Sequence, residues 1–238
     1  MNILLLIGFF DSFIFPRTLL YEKQFNPAEL YEKENAVILT SEVRFGLSEL
    51  RTFGVYSQIS HYSLEAASFG NEHYRENFLQ FGFGFPVAEK VALGLSVAGF
   101  NVRVTDISNE FTYGLKAGVR FASGPFLASA WMNNFNVPRI SSADYIPISY
   151  SVQVDYAAMS KLSFDFALRG VERELPSYNF GVAFVPHQSL LLALGVNTKP
   201  VALEYALRLS AGKMFFSYSG NRHQQLGLTH VLGLGFIQ

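Results

Sequence analysis

The chain predicts an all-β fold: a closed antiparallel meander barrel of about 14 strands that crosses a membrane, with 12 strands as the open alternative. Three observations lead there. Apolar residues alternate with small or polar ones at period two over most of the sequence. The alternating segments are long and the turns between them short. Charged residues make up 16% of the 238 residues, little for a soluble surface, and aromatics another 16%.

The alternation is clearest at the C-terminus. Leu226, Leu228, Leu232, Leu234 and Phe236 share one parity with His230, and Gly227, Thr229, Val231, Gly233 and Gly235 share the other. Successive side chains of a strand point to opposite faces, so this segment has one bulky apolar face and one small face. Phe111, Tyr113, Leu115, Ala117, Val119 and Phe121 repeat the pattern, as do Ile146, Ile148, Tyr150, Val152, Val154 and Tyr156. Leu162, Phe164, Phe166 and Leu168 follow it, and so do Val201, Leu203, Tyr205, Leu207 and Leu209. A helix would space these residues by three and four.

In chain order the expected strands are 36–45, 51–60, 61–69, 74–87, 90–105, 110–123, 125–136, 145–158, 161–174, 177–186, 189–197, 201–211, 213–219 and 225–237, with 61–69 and 213–219 the weakest. Turn-like residues fall at 46–49, 88–90, 106–109, 123–125, 138–144, 186–189, 199–200 and 212, leaving no room for a second domain. Within 90–105 the phase changes: Val91, Leu93, Leu95 and Val97 share one parity, Phe100, Val102 and Val104 the other. A bulge near Gly99 would restore an outward apolar face.

Length and face chemistry separate a membrane barrel from a soluble sandwich. The segments run about ten to fourteen residues, against five or six for a usual soluble strand and nine to eleven for a membrane strand. A sandwich would turn the apolar face inward and expose a glycine-rich face with few charges. In lipid the apolar face points out, and the sheet must close because an open edge has no water to bond. The soluble sandwich stays open as an alternative.

No internal segment is apolar enough for a membrane helix. The run Asn2 to Phe15 is interrupted by Asp11. Residues 1–24 are read as a signal peptide, although no Lys or Arg precedes the apolar run and no clean cleavage site follows it. An N-terminal strand or plug, or an artefact of the gene start, would fit the same residues. Residues 25–238 form the barrel. Net charge is −1 and no basic stripe exists, so nucleic acid is not an expected partner. Cysteine is absent, and His61, His73, His187, His223 and His230 show no metal-ligand spacing. His230 lies on the apolar parity near a strand start, an interfacial position. No phosphate-cradling glycine loop or nucleophile elbow occurs, since Gly82 and Gly84 in Phe81-Gly-Phe-Gly-Phe85 belong to the alternation. No enzymatic activity, cofactor or metal is expected.

Several segments carry a family resemblance. Phe25-Asn26-Pro27-Ala28-Glu29-Leu30 resembles the Asn-Pro-Ala-Gly-Leu segment that precedes the first strand of FadL-type outer-membrane β-barrels, with Glu29 in place of the usual glycine. Gly227-Leu228-Thr229-His230 and the strand after it resemble that family's closing strand, and Trp131-Met132-Asn133-Asn134 resembles its strands ending near an Asn. The C-terminal Phe236-Ile237-Gln238 departs from the terminal aromatic common in barrel-assembly signals. The chain is most similar to the compact PorV- and PorQ-like relatives of type IX secretion. The resemblance implies a barrel of fourteen strands in the bacterial outer membrane, with an N-terminal segment in or under the lumen. It also implies passage of hydrophobic substrates or service to a secretion machine. The chain is shorter than the family's fatty-acid transporters, which favours an accessory or structural subunit of an envelope secretion or assembly complex. A transporter of hydrophobic or small amphipathic solutes is the first alternative, and a soluble β-sandwich binding module the second. Outer-membrane lipid and a larger envelope complex are the expected partners.

The inward parity carries the expected lumen polar network: Glu42, Arg44, Arg103, Lys116, Arg120, Asp155, Asp165, Arg169, Glu204 and Arg208. Charges inside a narrow barrel must be paired or wet. Residues four apart on one strand are about 13 Å apart, so counter-charges must come from other strands. Asn26 and Pro27 are the expected N-terminal turn or gate, because Pro27 fixes φ and Asn26 can bond its own local backbone. Aromatics near strand ends are expected to supply interfacial girdles; they include Tyr56, Phe100, Phe111, Phe121, Trp131, Tyr156, Tyr178, Phe215 and Phe236.

Overall fold

The computed structural model describes residues 26–141, 144–199, 201–223 and 226–238. The apolar N-terminal run and the signal-peptide reading lie outside them. After one turn of 3-10 helix at Pro27–Tyr31, the strands are β1 (Glu34–Val43), β2 (Arg51–Ser60), β3 (Tyr62–Gly70), β4 (Tyr74–Ala88), β5 (Val91–Val104), β6 (Ser108–Ser123) and β7 (Phe126–Asn133). The second half follows with β8 (Ser149–Met159), β9 (Leu162–Val171), β10 (Ser177–His187), β11 (Leu190–Thr198), β12 (Val201–Ala211), β13 (Met214–His223) and β14 (Gly227–Ile237).

Each strand pairs with its sequence neighbours, and β1 pairs with β14, so one sheet of 14 strands closes on itself. The closing ladder is antiparallel and runs from Ala36↔Ile237 to Val43↔His230. This is not the two-sheet sandwich that the alternation alone also allowed. Both weakly patterned segments, 61–69 and 213–219, form full strands as β3 and β13.

The faces sort by chemistry. Leu232 and Leu234 are 47% and 48% exposed, whereas Val231, just before Leu232, is 3% exposed. Val37 and Leu39 on β1 and Leu93, Leu95 and Val97 on β5 likewise point outward, while Ala36, Ile38, Ala92, Ser96 and Ala98 are buried. Large apolar groups therefore face out along strands long enough to cross a bilayer. A polar exception inside the apolar band is His230, whose Nδ1 lies 2.8 Å from the Tyr218 hydroxyl, itself 3.2 Å from the Tyr205 hydroxyl. The three outward polar groups partner one another across β12–β14, which lowers the penalty of meeting lipid.

The two ends differ. At the end that carries the start of β1 and the C-terminus, β2–β3, β4–β5, β6–β7, β8–β9, β10–β11 and β12–β13 are joined by one or two residues. Gly124 and Gly212 make two of these turns with φ of 57° and 60°, a region that favours glycine. The opposite end holds the longer connections, including 44–50 and the span from Asn133 to Ser149.

Four sequence expectations need correction: the bulge at Gly99, the inward Arg103, the outward Ile146 and part of the aromatic girdle. No bulge forms at Gly99: Leu79↔Gly99 and Gly99↔Tyr113 continue the β4–β5 and β5–β6 registers without a shift. Phe100 and Val102 therefore face inward, and Arg103 is exposed on the outer face. The phase change instead marks an apolar patch inside the barrel, where Ala98, Phe100 and Ile146 form a cluster joined by Phe78 and Ile140. Ile146 consequently lies inside and not on the outward parity of a strand, because β8 begins only at Ser149 and the chain before it folds back into the barrel. Among the aromatics, Tyr56, Trp131 and Phe215 are also buried inside, whereas Phe111, Phe121, Tyr156, Tyr178 and Phe236 are exposed outside.

Leu95→Arg, in the middle of the outward apolar stretch of β5, should lower unfolding free energy by about 2–4 kcal/mol. Its inward neighbour substitution Ser96→Ala should change it by less than about 1 kcal/mol. Denaturant titration of the protein folded in lipid vesicles measures both.

Candidate functional site

The segment before β1 enters the barrel at the short-turn end and sits against β4, β5 and β6. Asn26 caps its turn: the Asn26 Oδ1 accepts from the Ala28 amide at 3.0 Å, and the Glu29 amide donates to the Asn26 carbonyl at 3.0 Å. Pro27 opens the turn where no amide hydrogen is needed. The Asn26 Nδ2 also donates to the Val119 carbonyl at 3.2 Å, tying the turn to β6.

A row of glycines makes this seat possible. Gly84 on β4 pairs with Gly94 on β5, which pairs with Gly118 on β6. A Cβ at Gly84 would stand 2.6 Å from the Pro27 carbonyl oxygen and 2.8 Å from the Tyr31 nitrogen. A Cβ at Gly94 would collide with the Pro27 carbonyl, and one at Gly118 with the Asn26 Oδ1. The backbone of the turn thus lies directly on the backbone of the wall.

Charge then fixes the turn. Arg120, two residues beyond Gly118 on the same inward parity, places its Nε 2.7 Å from a Glu29 oxygen and its Nη2 3.0 Å from Glu32. Its guanidinium also donates to the Tyr31 hydroxyl at 2.6 Å and lies 4.7 Å from that ring's centroid. Leu30 is buried, its carbonyl 3.1 Å from His61 Nδ1, and Gln58 donates to the Glu32 carbonyl at 2.9 Å.

The other polar positions divide into groups. Glu42 and Arg44 pair with each other at 2.9 Å, because the chain leaves β1 in a tight turn that swings Arg44 back over its neighbour and onto the Phe69 ring. Lys116 is buried 5.9 Å from the Trp131 ring centroid, within electrostatic reach of Glu65. Asp155 accepts from Gln153 at 2.5 Å. Arg169 lies within electrostatic reach of Glu204 and Asp165, and Asn179 on β10 donates to Glu204 at 2.9 Å. Arg208 stacks 4.1 Å from the Phe215 centroid. Arg103, on the outer face, joins none of these. Sequence reading missed Glu29, Glu65, Glu76, Gln58 and Asn179. For the four on strands the signal was inward parity, read there for only some of the polar residues; for Glu29 it was the acidic residue standing in place of the motif's glycine. Among the described residues no group of three or more His, Asp or Glu could hold a metal ion.

The other end is entered by the span between β7 and β8. The β6–β7 ladder covers only Lys116↔Asn133 to Ser123↔Phe126, so residues 108–115 of β6 have β5 as their one strand partner. Asn136 takes the missing partner's place: its Oδ1 accepts from the Leu115 amide at 2.8 Å and its Nδ2 donates to the Tyr113 carbonyl at 2.9 Å. Beyond it the chain dips inward, with Asn134 and Ile146 buried. A Cβ at Gly114 would collide with the Asn134 Oδ1 of the dipping chain and stand 2.8 Å from Phe100, so this glycine clears room on β6 for that chain. The Phe78, Ala98, Phe100, Ile140 and Ile146 cluster forms there.

Arg120→Gln should release the N-terminal turn, because removing one partner of a buried pair costs about 3–5 kcal/mol. Hydrogen exchange of the amides of residues 28–32 should accelerate at least about tenfold. Glu29→Gln combined with Arg120→Gln should recover part of that loss, since no buried charge is left alone at that pair. Gly94→Ala should unseat the same turn with every charge intact, read by the same exchange measurement.

No protein-family model matches the sequence, and no curated protein sequence matches it. Solved structures do. The CymD monoaromatic hydrocarbon channel superposes with a TM-score of 0.63 at 11% identity, covering 90% of this chain and 91% of that one. The Pseudomonas putida toluene transporter TodX gives 0.59 at 8% identity, with 90% and 91% covered. A Pseudomonas aeruginosa FadL homologue gives 0.58 at 9% identity, with 90% and 93% covered. At these identities the likeness is one of fold, a closed antiparallel barrel of 14 strands.

Proposed function

We propose that this protein is a non-enzymatic channel of the bacterial outer membrane that passes hydrophobic or small amphipathic solutes. The observation that carries the reading is the apolar cluster of Phe78, Ala98, Phe100, Ile140 and Ile146 inside the barrel, beside the chain that dips in from the long-loop end. A water-filled pore gains nothing from it, whereas a solute leaving water for an apolar lining gains roughly 25 cal/mol per Å² of apolar surface covered. The fold likeness to a monoaromatic hydrocarbon channel and a toluene transporter supports the same reading. In this reading Asn26 and Pro27 form the gate at the short-turn end. Glu42, Arg44, Lys116, Arg120, Asp155, Asp165, Arg169, Glu204 and Arg208 form the lumen network that holds the wall around the path. The part of β6 beyond Leu115, bridged by one asparagine side chain, offers a sideways exit next to the cluster.

Proteoliposomes test the proposal. Protein-containing vesicles should take up a monoaromatic such as toluene faster than empty ones, and a sugar no faster. Phe100→Asp should reduce the aromatic flux roughly tenfold by placing a charge in the apolar lining. Equal uptake with and without the protein across monoaromatic and small amphipathic solutes would sink the channel reading.

A second reading, an accessory barrel of a secretion or assembly complex like the PorV- and PorQ-like proteins, is favoured by the short turns and by a segment inserted at each end. Such a barrel would co-purify with a large envelope partner in mild detergent. A chain that stays solitary there would count against it.

A further inference from the structure

The outer face of β3–β6 near the long-loop end carries a polar device that the lumen does not need. Ser68 Oγ donates to Asn77 Oδ1 at 2.9 Å, Asn77 Nδ2 to Asn101 Oδ1 at 3.0 Å, and Asn101 Nδ2 to Asn109 Oδ1 at 2.7 Å. This ladder of side-chain amides crosses four neighbouring strands. On the same outward parity, toward the short-turn end, follow Leu79, Phe81, Leu95 and Val97, all exposed and apolar. The ladder therefore marks the height at which the apolar band ends and lipid headgroups begin.

One step farther toward the long-loop end, Arg75 and Arg103 stand directly opposite each other on β4 and β5. Both are exposed on the outer face, and neither forms an ion pair among the described residues. Like charges directly opposed across a strand pair are destabilising. An anion held between them reverses the sign, and two guanidinium forks match the oxygens of a phosphate monoester. Gly70, in register with Arg75 on β3, adds no side chain to crowd that position.

We propose that Arg75 and Arg103 clamp a phosphate of an anionic lipid in the leaflet facing the long-loop end, with the Asn77–Asn101–Asn109 ladder bonding the polar part of the same headgroup. In an outer membrane this is the phosphorylated glycolipid of the outer leaflet. The inference rests on the barrel spanning a membrane and is independent of what the lumen conducts.

The full chain, folded in mild detergent, is titrated with bisphosphorylated lipid A, with its dephosphorylated form and with inorganic phosphate, and bound lipid is read by native mass spectrometry. Arg75→Gln/Arg103→Gln should weaken lipid A retention about tenfold or more. Arg222→Gln, an exposed arginine on β13, should leave it unchanged. Heat-modifiable gel mobility confirms that each variant is folded, and the single variants Arg75→Gln and Arg103→Gln replace the double should it fail to fold. Retention by the double variant at the level of the unsubstituted protein, or equal loss in Arg222→Gln, overturns the proposal. Equal binding of the dephosphorylated lipid overturns it too, as does displacement of lipid A by inorganic phosphate at matched concentration, which would make the pair a free-anion site.

Discussion

The β1–β14 ladder is the constraint on which the rest of the molecule depends. A sheet whose outer face is apolar has no solvent at its edges, so each main-chain donor and acceptor in the band must find a partner within the sheet. Closure through Ala36↔Ile237 to Val43↔His230 supplies those partners for the first and last strands. It also fixes parity, because a slip by one residue would turn Leu232 and Leu234 inward and expose Val231 and Gly233. The interior chemistry follows: once parity is set, Glu42, Lys116, Arg169 and Glu204 have no direction but inward.

A closed ring of this size leaves an interior that side chains from the wall do not fill alone. Two segments enter it, and the wall accommodates each by omitting side chains. The aligned Gly84, Gly94 and Gly118 admit the Asn26–Pro27 turn, and Gly114 admits the Asn134 side chain beside Phe100. Glycine in a strand interior weakens it, so a run in register across three strands requires a compensating contact. The compensation here is main chain resting on main chain, reinforced by Arg120 and two carboxylates.

The strands and their facing were legible because period two is a local property, and lipid enforces it residue by residue. Fourteen strands, the outward Leu226 to Phe236 series and the inward charge set, apart from Arg103, follow from alternation. What alternation could not supply was register. Gly84, Gly94 and Gly118 lie on three different strands, and they become one shelf only when the hairpins align them. Glu29 looked like a departure from a family motif, yet its partner Arg120 lies far along the chain and is brought near only after five intervening strands. The phase change after Val97 was visible, but a bulge and an inward apolar patch predict the same sequence. The patch wins because Ile140 and Ile146, also remote in sequence, arrive to cover Phe100.

The two inserted segments differ in how firmly they are held, and this assigns them different parts in any opening. The N-terminal turn combines a steric seat, an ion pair and several hydrogen bonds, with its buried residues in ordinary backbone geometry. The β7–β8 span is held to the wall by apolar contacts, by the Phe135 amide donating to the Leu115 carbonyl at 3.3 Å, and by the Asn136 amide on the β6 edge, with Asn134 Nδ2 closing the span on itself through the Pro147 carbonyl at 3.2 Å. It also contains Asn134 at φ 59° and Val137 at φ 50°. A left-handed conformation is tolerable for asparagine but strained for a β-branched residue, at a cost of order 1–3 kcal/mol. Swinging this span outward relieves that strain and exchanges the two Asn136 side-chain bonds and the Phe135–Leu115 backbone bond for water. Displacing the N-terminal turn separates buried charges. In the channel proposed above, this energetic asymmetry makes the β7–β8 span yield before the Asn26–Pro27 gate on the glycine shelf does.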